Sequence, residues 1–472
     1  MIIKSVLLNG KRYHLVNKTV DCENNVFSAI IGINGAGKSR LLHRIIDSTM
    51  KVVDQDEKYK IPKYFTNHIE IINNSENINV YSRVKSKYSL LGTLEKSNYH
   101  QKMNIKLIAV TTSPFDKFPI ENKTSSIFKH HDDDNYHYIG LRASENSYNK
   151  SNFINLLVRS FIKNGITEKQ SKVIELLKYK EFYSIHFKNK FTSLQQSDLG
   201  ISGYDDFNSN KKLDTNTFYS FLKIKYPTLA RKIKHKNNLL NEVLESILKC
   251  RDEIAYGIES SEILTPEKRK MLIMLLDLGI IQIKNVFLVT ENEHPISLSE
   301  ASSGEQCILL TILNISGVIK DNSVICIDEP EISLHPHWQK EFIPMLMFCF
   351  KEFKNCHFII ATHSPLVIST MTGENCFILN MENTKPISAE KYVQKSVDYQ
   401  LAELFHSPGF NNEYLNRIVV SLLSSLSKNG KLDKEQHKQS SMLIKLSYDL
   451  EANDTVKELI NILKNSLETL NK

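Results

Sequence analysis

Residues 32–39 read Gly32-Ile33-Asn34-Gly35-Ala36-Gly37-Lys38-Ser39, which fits the spacing G-x-x-x-x-G-K-[ST]. Glycines without side chains let successive backbone N–H groups wrap an anion, the lysine adds a positive charge, and the serine hydroxyl can ligate a divalent cation. A helix starting at the lysine adds the positive end of its dipole. Asn34, Gly35, Gly37, Lys38, Ser39 and Arg40 are therefore candidate contacts to a nucleotide's phosphates, and Ser39 is also a candidate ligand of Mg²⁺.

Three further strings could supply chemistry. The apolar run Ser323–Ile327 ends in Asp328-Glu329-Pro330. A strand terminus there would offer Asp328 to the metal and Glu329 to an attacking water. Leu298–Gln306 contains Ser302-Ser303-Gly304-Glu305-Gln306 ahead of the apolar run Cys307–Leu313, so Ser303 and Gly304 can form a phosphate-binding helix start. A plain capping box, Ser302-x-x-Glu305, accounts for the same residues. The run Phe358–Ala361 leads to Thr362-His363-Ser364-Pro365. His363 could hydrogen-bond a terminal phosphate and the attacking water, or could simply be a polar strand end.

The elements that must position these groups follow from periodicity. Ile2–Leu8, Arg12–Val20 and Phe27–Ile31 read as strands, and a helix follows over about 38–48. Residues 51–104 are polar, with short β-like pieces at Ile69–Ile72 and Ile78–Tyr81, and Ile105–Val110 reads as a buried strand. Phe153–Lys163, Glu168–Lys178, Leu229–Lys249 and Pro266–Leu278 carry helical spacing. Strands return at Val286–Val289, Val324–Ile327, His357–Ala361 and Cys376–Leu379. The expected fold class is α/β: a mixed sheet with a phosphate-loop core, a large helical insertion and a helical C-terminal region. Its parts are 1–150, 151–280 (helical), 281–385 and 386–472 (helical).

The chain's 472 residues include 16 glycines and 12 prolines, about half the usual combined share of roughly 12%, which excludes collagen-like and low-complexity readings. Lys+Arg 60 against Asp+Glu 53 leaves +7, a mild bias compatible with a nucleic-acid partner but not an argument for one. Seven cysteines without a C-x-x-C pair point to small buried thiols in a reducing compartment. No apolar run approaches membrane-spanning length and the N-terminus lacks a leader pattern, so a cytoplasmic chain without a membrane partner is expected.

Taken in chain order, 32–39, 302–306, 325–329 and His363, the four strings resemble the head domain of ABC-type ATPases, specifically the branch holding the RecF, SMC and OLD proteins. In that reading Gly32–Ser39 is Walker A, Ser302–Gln306 the signature, Ile325–Glu329 Walker B and His363 the switch histidine. The resemblance covers about 1–50, 105–145 and 281–381. It implies ATP and Mg²⁺ as ligands, Glu329 and His363 as catalytic residues, and a head-to-head dimer in which Ser303 and Gly304 complete the neighbour's site. The family's Q-loop glutamine is missing: the segment Thr111–Pro119 contains none.

Shorter strings narrow the likeness. Thr112–Pro119, Tyr138–Arg142, Glu331–Pro336 and Leu404–Phe410 resemble the PtuA ATPases of Septu and some retron anti-phage systems. That implies an HNH nuclease partner similar to PtuB, larger homo-oligomers and, in retrons, a reverse transcriptase with its RNA–DNA hybrid. The C-terminal aspartates show no D-x-D spacing of a nuclease in cis. Two other readings stay open: a nucleotide-gated module that sequesters a toxic effector, and a RecF-like DNA-repair ATPase.

Four features stand outside this core. The basic stretch 211–236, with Phe218, Tyr219, Phe221 and Tyr226 interleaved, is either a nucleic-acid surface or a solvated helical face. His130–Asp134 reads as a polar loop rather than a metal site, Trp338 as packing at a helix start, and Leu404–Arg417 as a docking segment.

Overall fold

The computed structural model describes residues 1–17, 20–21, 23–53, 67–73, 76–86, 89–95, 105–113, 116–119, 135–140, 142–144, 147–148, 151–166, 168–189, 215–225, 227–233, 237–250, 253–254, 257–259 and 264–470. They fall into two compact units. Met1–Pro119, Asn135–Tyr138 and Lys320 onward form the first; residues from Ile139 to Ile319 belong to the second.

A seven-stranded sheet forms the centre of the first unit, in the order Ile387–Ser388, Cys376–Asn380, Val26–Ile31, His357–Ala361, Val324–Asp328, Leu107–Thr111, Tyr136–Ile139. The five strands from Cys376–Asn380 to Leu107–Thr111 pair in parallel. All five are buried along their whole length, as strands covered on both faces must be, which explains their largely apolar runs. The register aligns their carboxyl ends: Asp328 pairs with Thr111 on one side and Ala361 on the other, and Ala361 pairs with Ile30. The loops that follow these residues therefore leave the sheet along one edge, where ligands of parallel α/β sheets bind.

Beside this sheet runs a five-stranded antiparallel one, in the order Lys11–His14, Ile2–Leu8, Asn67–Asn73, Glu76–Ser86, Ser89–Glu95. The helix Lys38–Val53 lies in the core they share, burying Leu41, Leu42, Ile45 and Ile46. Three C-terminal helices, Glu413–Asn429, Lys434–Leu446 and Thr455–Leu470, pack around their own cluster of Leu415, Val419, Leu422, Leu443, Ile460 and Leu463. Asn412 caps the first and Asp433 closes a capping box on the second, as helix N-termini require.

The second unit departs from the sequence expectation. The stretch 151–280 is not all helical: Tyr179–Asn189 is an 11-residue strand, with Ile185 and Phe187 buried on alternate positions. It pairs antiparallel with Ile281–Thr290 in a four-stranded sheet. That pairing draws residues 281–319 into the second unit, and the first unit resumes at Lys320. Helices Ser151–Asn164 and Pro266–Leu278 are tied by Arg159 to Asp277 at 2.6 Å. Within Leu229–Lys249, read as one helix, the described residues form the helices Pro227–Ile233 and Asn237–Lys249.

Candidate functional site

Each candidate side chain of the first unit sits on a loop at the aligned sheet edge. After Ile31 the chain turns through Gly32 at φ 153° and Gly37 at φ 99°, conformations that L side chains rarely adopt. A Cβ on Gly32 would also stand 3.1 Å from Met381 Cβ and 3.2 Å from Ala36 Cβ. The turn closes on Lys38, 4% exposed, whose ammonium donates to the Gly32 carbonyl at 3.1 Å.

On the neighbouring strand ends stand the acids. Asp328, 4% exposed, accepts from the Ser39 hydroxyl at 3.2 Å. Burial raises its carboxyl to about 7, with Glu329 and Asp116 adding to the rise and the Ser39 bond and Lys38 opposing it. Two oxygen donors this close form the hard donor set a Mg²⁺ ion takes, and Ser39 with Asp328 could hold one. Glu329 adopts a left-handed backbone, φ 49°, ψ 57°. It is held there at both ends: its N–H donates to Ala361 O at 2.9 Å, and its carbonyl accepts from the Thr112 hydroxyl at 3.0 Å. Such strain in a non-glycine residue concentrates where a side chain must be aimed.

His363 joins these groups. Its Nε2 contacts Lys38 Nζ and lies 3.6 Å from Glu329 Oε1. Burial, then the Lys38 charge, lowers its pKa. The imidazole is thus neutral, and the ammonium's approach to Nε2 assigns the ring proton to Nδ1. The Glu329 contact is then not a charge pair. The His363 backbone N–H donates to the Glu331 carboxylate, which anchors the loop. Lys38 is itself lowered by burial, while Glu329, Asp328 and Glu331 counteract the shift.

A cleft of about 190 Å³ is lined by Asn34, Gly35, Gly37, Lys38, Ser39, Arg40, Lys117, Glu329 and His363. All six loop residues expected at the phosphates lie along it. The sequence reading does not mark Lys117, Asp116, Thr112 and Glu331 as site residues. The signal was present, since the loop after a buried parallel strand must emerge at the same edge as the other three. Only the strand order shows that Leu107–Thr111 is Asp328's neighbour.

Ser303 and Gly304 belong to the second unit. There Ser302 caps the helix Ser303–Ser316, its hydroxyl accepting from Glu305 N at 3.3 Å, and the Glu305 carboxylate accepts from Ser302 N at 3.1 Å. Ser303 is exposed and Gly304 buried at that helix start. The capping box is fully formed.

The remaining candidates fare differently. His130–Asp134 lies outside the described residues, as do Lys211, Lys212, Asp214, Tyr226, Lys234 and Lys236. Phe218 is buried with 0% exposure, so it packs and does not stack on bases, whereas Lys223 and Arg231 are exposed. Trp338 lies in the first turn of helix Pro336–Phe350, its ring 5.2 Å from His337. Phe410 is 54% exposed. Burial raises the thiols of Cys307, Cys349 and Cys376 to about 12, as expected of inert packing residues. No helix among the described residues is long and apolar enough to cross a membrane.

Comparison with known proteins adds relatives. The family described as "AAA domain, putative AbiEii toxin, Type IV TA system" matches residues 168–369. "Retron Ec83 probable ATPase" of Escherichia coli is 34% identical over 127 residues, which covers 25% of this chain and 22% of that protein. The match thus spans about a fifth of that relative's length. "Retron Vc95 probable ATPase" of Vibrio cholerae serotype O1 biovar El Tor is 23% identical over 463 residues, covering 89% of this chain and 82% of that one. Among solved structures, the SMC head domain from Thermotoga maritima aligns over 82% of this chain and 97% of its own at 12% identity, with a TM-score of 0.29. So loose an alignment adds nothing to what strand order and motifs establish. In strand order and motif order the chain is similar to the ABC-type ATPases.

Proposed function

We propose that the protein binds ATP with Mg²⁺ and hydrolyses it. One observation carries this reading: the Ser39 hydroxyl meets the Asp328 carboxylate beside a buried lysine, in a cleft that Glu329 and His363 also line. Lys38 and the loop amides bind the phosphates, and Ser39 with Asp328 hold the metal. Glu329 orients and polarises the attacking water, and His363 hydrogen-bonds the terminal phosphate. The metal's chemistry is to neutralise charge on the phosphate oxygens. Phosphate release from ATP by the purified protein tests this. Mg²⁺-dependent turnover lost in Lys38→Ala supports it, and failure of the unmodified protein to bind ATP overturns it.

The turnover serves an anti-phage defence system, in which the ATPase controls a partner HNH nuclease similar to PtuB. Two heads meet on ATP, with Ser303 and Gly304 of each completing the other's site. A reverse transcriptase with its RNA–DNA hybrid is a further partner. Support comes from the relatives named as ATPases of retrons. Light scattering on Glu329→Gln with ATP should show a dimer or larger species. Co-expression with an HNH protein encoded alongside it should give a complex, and its absence would remove the nuclease from the reading.

A further inference from the structure

The loop after Leu107–Thr111 lacks the glutamine that ABC-type heads place there, yet it is not an idle connection. Thr111 pairs with Asp328, so the loop starts beside the metal-binding carboxylate. Its next residue, Thr112, donates to the Glu329 carbonyl at 3.0 Å. Further along, Asp116 is 7% exposed: its Oδ1 accepts from Phe118 N at 3.0 Å and its Oδ2 from the Tyr138 hydroxyl at 2.8 Å. Phe118 is 3% exposed and belongs to the central core. Lys117 is therefore an exposed residue between two buried anchors, and it lines the cleft.

We infer that Lys117 is a nucleotide-contacting residue, a second cation for the terminal phosphate of ATP, aimed by Asp116 as a positioning residue. The inference rests on the functional reading above and deepens it. An amide in this loop could offer a carbonyl oxygen to the metal, whereas an ammonium can only donate, and a bound phosphate chain would bring it acceptor oxygens. The loop's duty thus moves from the metal shell to the phosphates, leaving the metal to Ser39 and Asp328. The clamp makes this effective, because an ammonium on a fixed backbone loses less freedom on binding than one on a loose loop. An approaching phosphate also faces Lys38 and Arg40 in the same cleft, while Glu329 supplies the opposing charge.

Nucleotide affinities of Lys117→Ala, Lys117→Arg and the unmodified protein test the inference, read with fluorescent ATPγS and ADP analogues in Mg²⁺. Lys117→Ala should weaken ATPγS binding about tenfold, the worth of one charge-assisted hydrogen bond, and ADP binding by less than threefold. Lys117→Arg should stay within about threefold of the unmodified protein for both. An exposed side chain should leave the melting temperature unchanged, which separates contact from folding. Asp116→Asn, which keeps the size but weakens the clamp, should show part of the same ATPγS-selective loss. Equal ATPγS affinities for Lys117→Ala and the unmodified protein overturn the inference and leave the ATPase reading standing. A loss equal for both nucleotides overturns the terminal-phosphate assignment. Failure of the unmodified protein to bind either nucleotide overturns both readings together.

Discussion

The Ser39 hydroxyl donates to the Asp328 carboxylate across 3.2 Å, joining residues 289 positions apart. One comes from the first turn of a helix and the other from the end of a buried strand. Their meeting depends on the strand order of the central sheet, in which Val26–Ile31 lies two places from Val324–Asp328 with His357–Ala361 between them. The pair is where a cation and a phosphate chain would share ligands, and it makes the metal dependence of this site testable.

Asp328→Ala should lower nucleotide affinity measured in Mg²⁺ by at least about tenfold, the usual effect of losing part of a metal shell. Affinity measured with the metal chelated should change far less. Titrations with and without EDTA check this, and an equal loss in both would mean that Asp328 acts on the fold and not on the metal.

Glu329→Gln keeps the shape of the side chain and its left-handed backbone but removes the base. ATP should still bind within a few-fold of the unmodified affinity, while phosphate release falls about 10²- to 10⁴-fold. Single-turnover phosphate release separates the two quantities, and undiminished turnover would assign the base to another residue.

Two glycines of the phosphate loop should differ in their tolerance of a methyl group. A Cβ on Gly32 meets Met381 and Ala36 within 3.2 Å, whereas nothing lies within 4 Å of one on Gly35, although both have positive φ. Gly32→Ala should therefore cost about 1–3 kcal/mol through strain and crowding, more than Gly35→Ala, where backbone strain acts alone. Urea unfolding of the two variants gives the comparison.

The pH dependence of stability should carry the mark of His357. Its ring is fully buried: Nδ1 accepts from Ile3 N at 3.1 Å, so Nε2 donates to Ser28 Oγ at 2.9 Å, which in turn donates to Leu15 O at 2.9 Å. Burial, then the N-terminal amine, pushes its pKa down from 6.5 to about 3. The unfolded chain therefore takes up the proton first. Stability from this neutral ring is complete above pH 6.5 and drains away as the pH falls toward 3. By pH 4 the loss should be about 3 kcal/mol, and His357→Gln should abolish that part of the acid sensitivity. Chemical denaturation at pH 7 and pH 4 on both proteins checks it, with equal acid losses arguing against the assignment.

Much of the site could be read along the chain. The glycines, lysine and serine of 32–39 are adjacent, and the turn they form depends on local backbone geometry, so spacing alone places them together. The strand ends at Asp328 and His363 were legible for a similar reason: a run of apolar residues that stops at a polar one marks an edge wherever the strand lies. The helix start at Ser302 was legible too, because a capping box is a contact between residues three apart.

Tertiary structure decided what non-local pairing controls. The strand Tyr179–Asn189 falls inside the block 151–280 that reads as helical, since its partner Ile281–Thr290 is far along the chain and no local pattern announces the match. That one pairing moved the boundary between the two units. The same holds for Asp116 and Lys117, which lie in none of the four nucleotide-binding strings and gain their place only because Thr111 lies in register with Asp328. Local geometry wrote the phosphate loop into the sequence, while sheet order, a sum of many long-range contacts, determined which carboxylates, histidine and lysine face it.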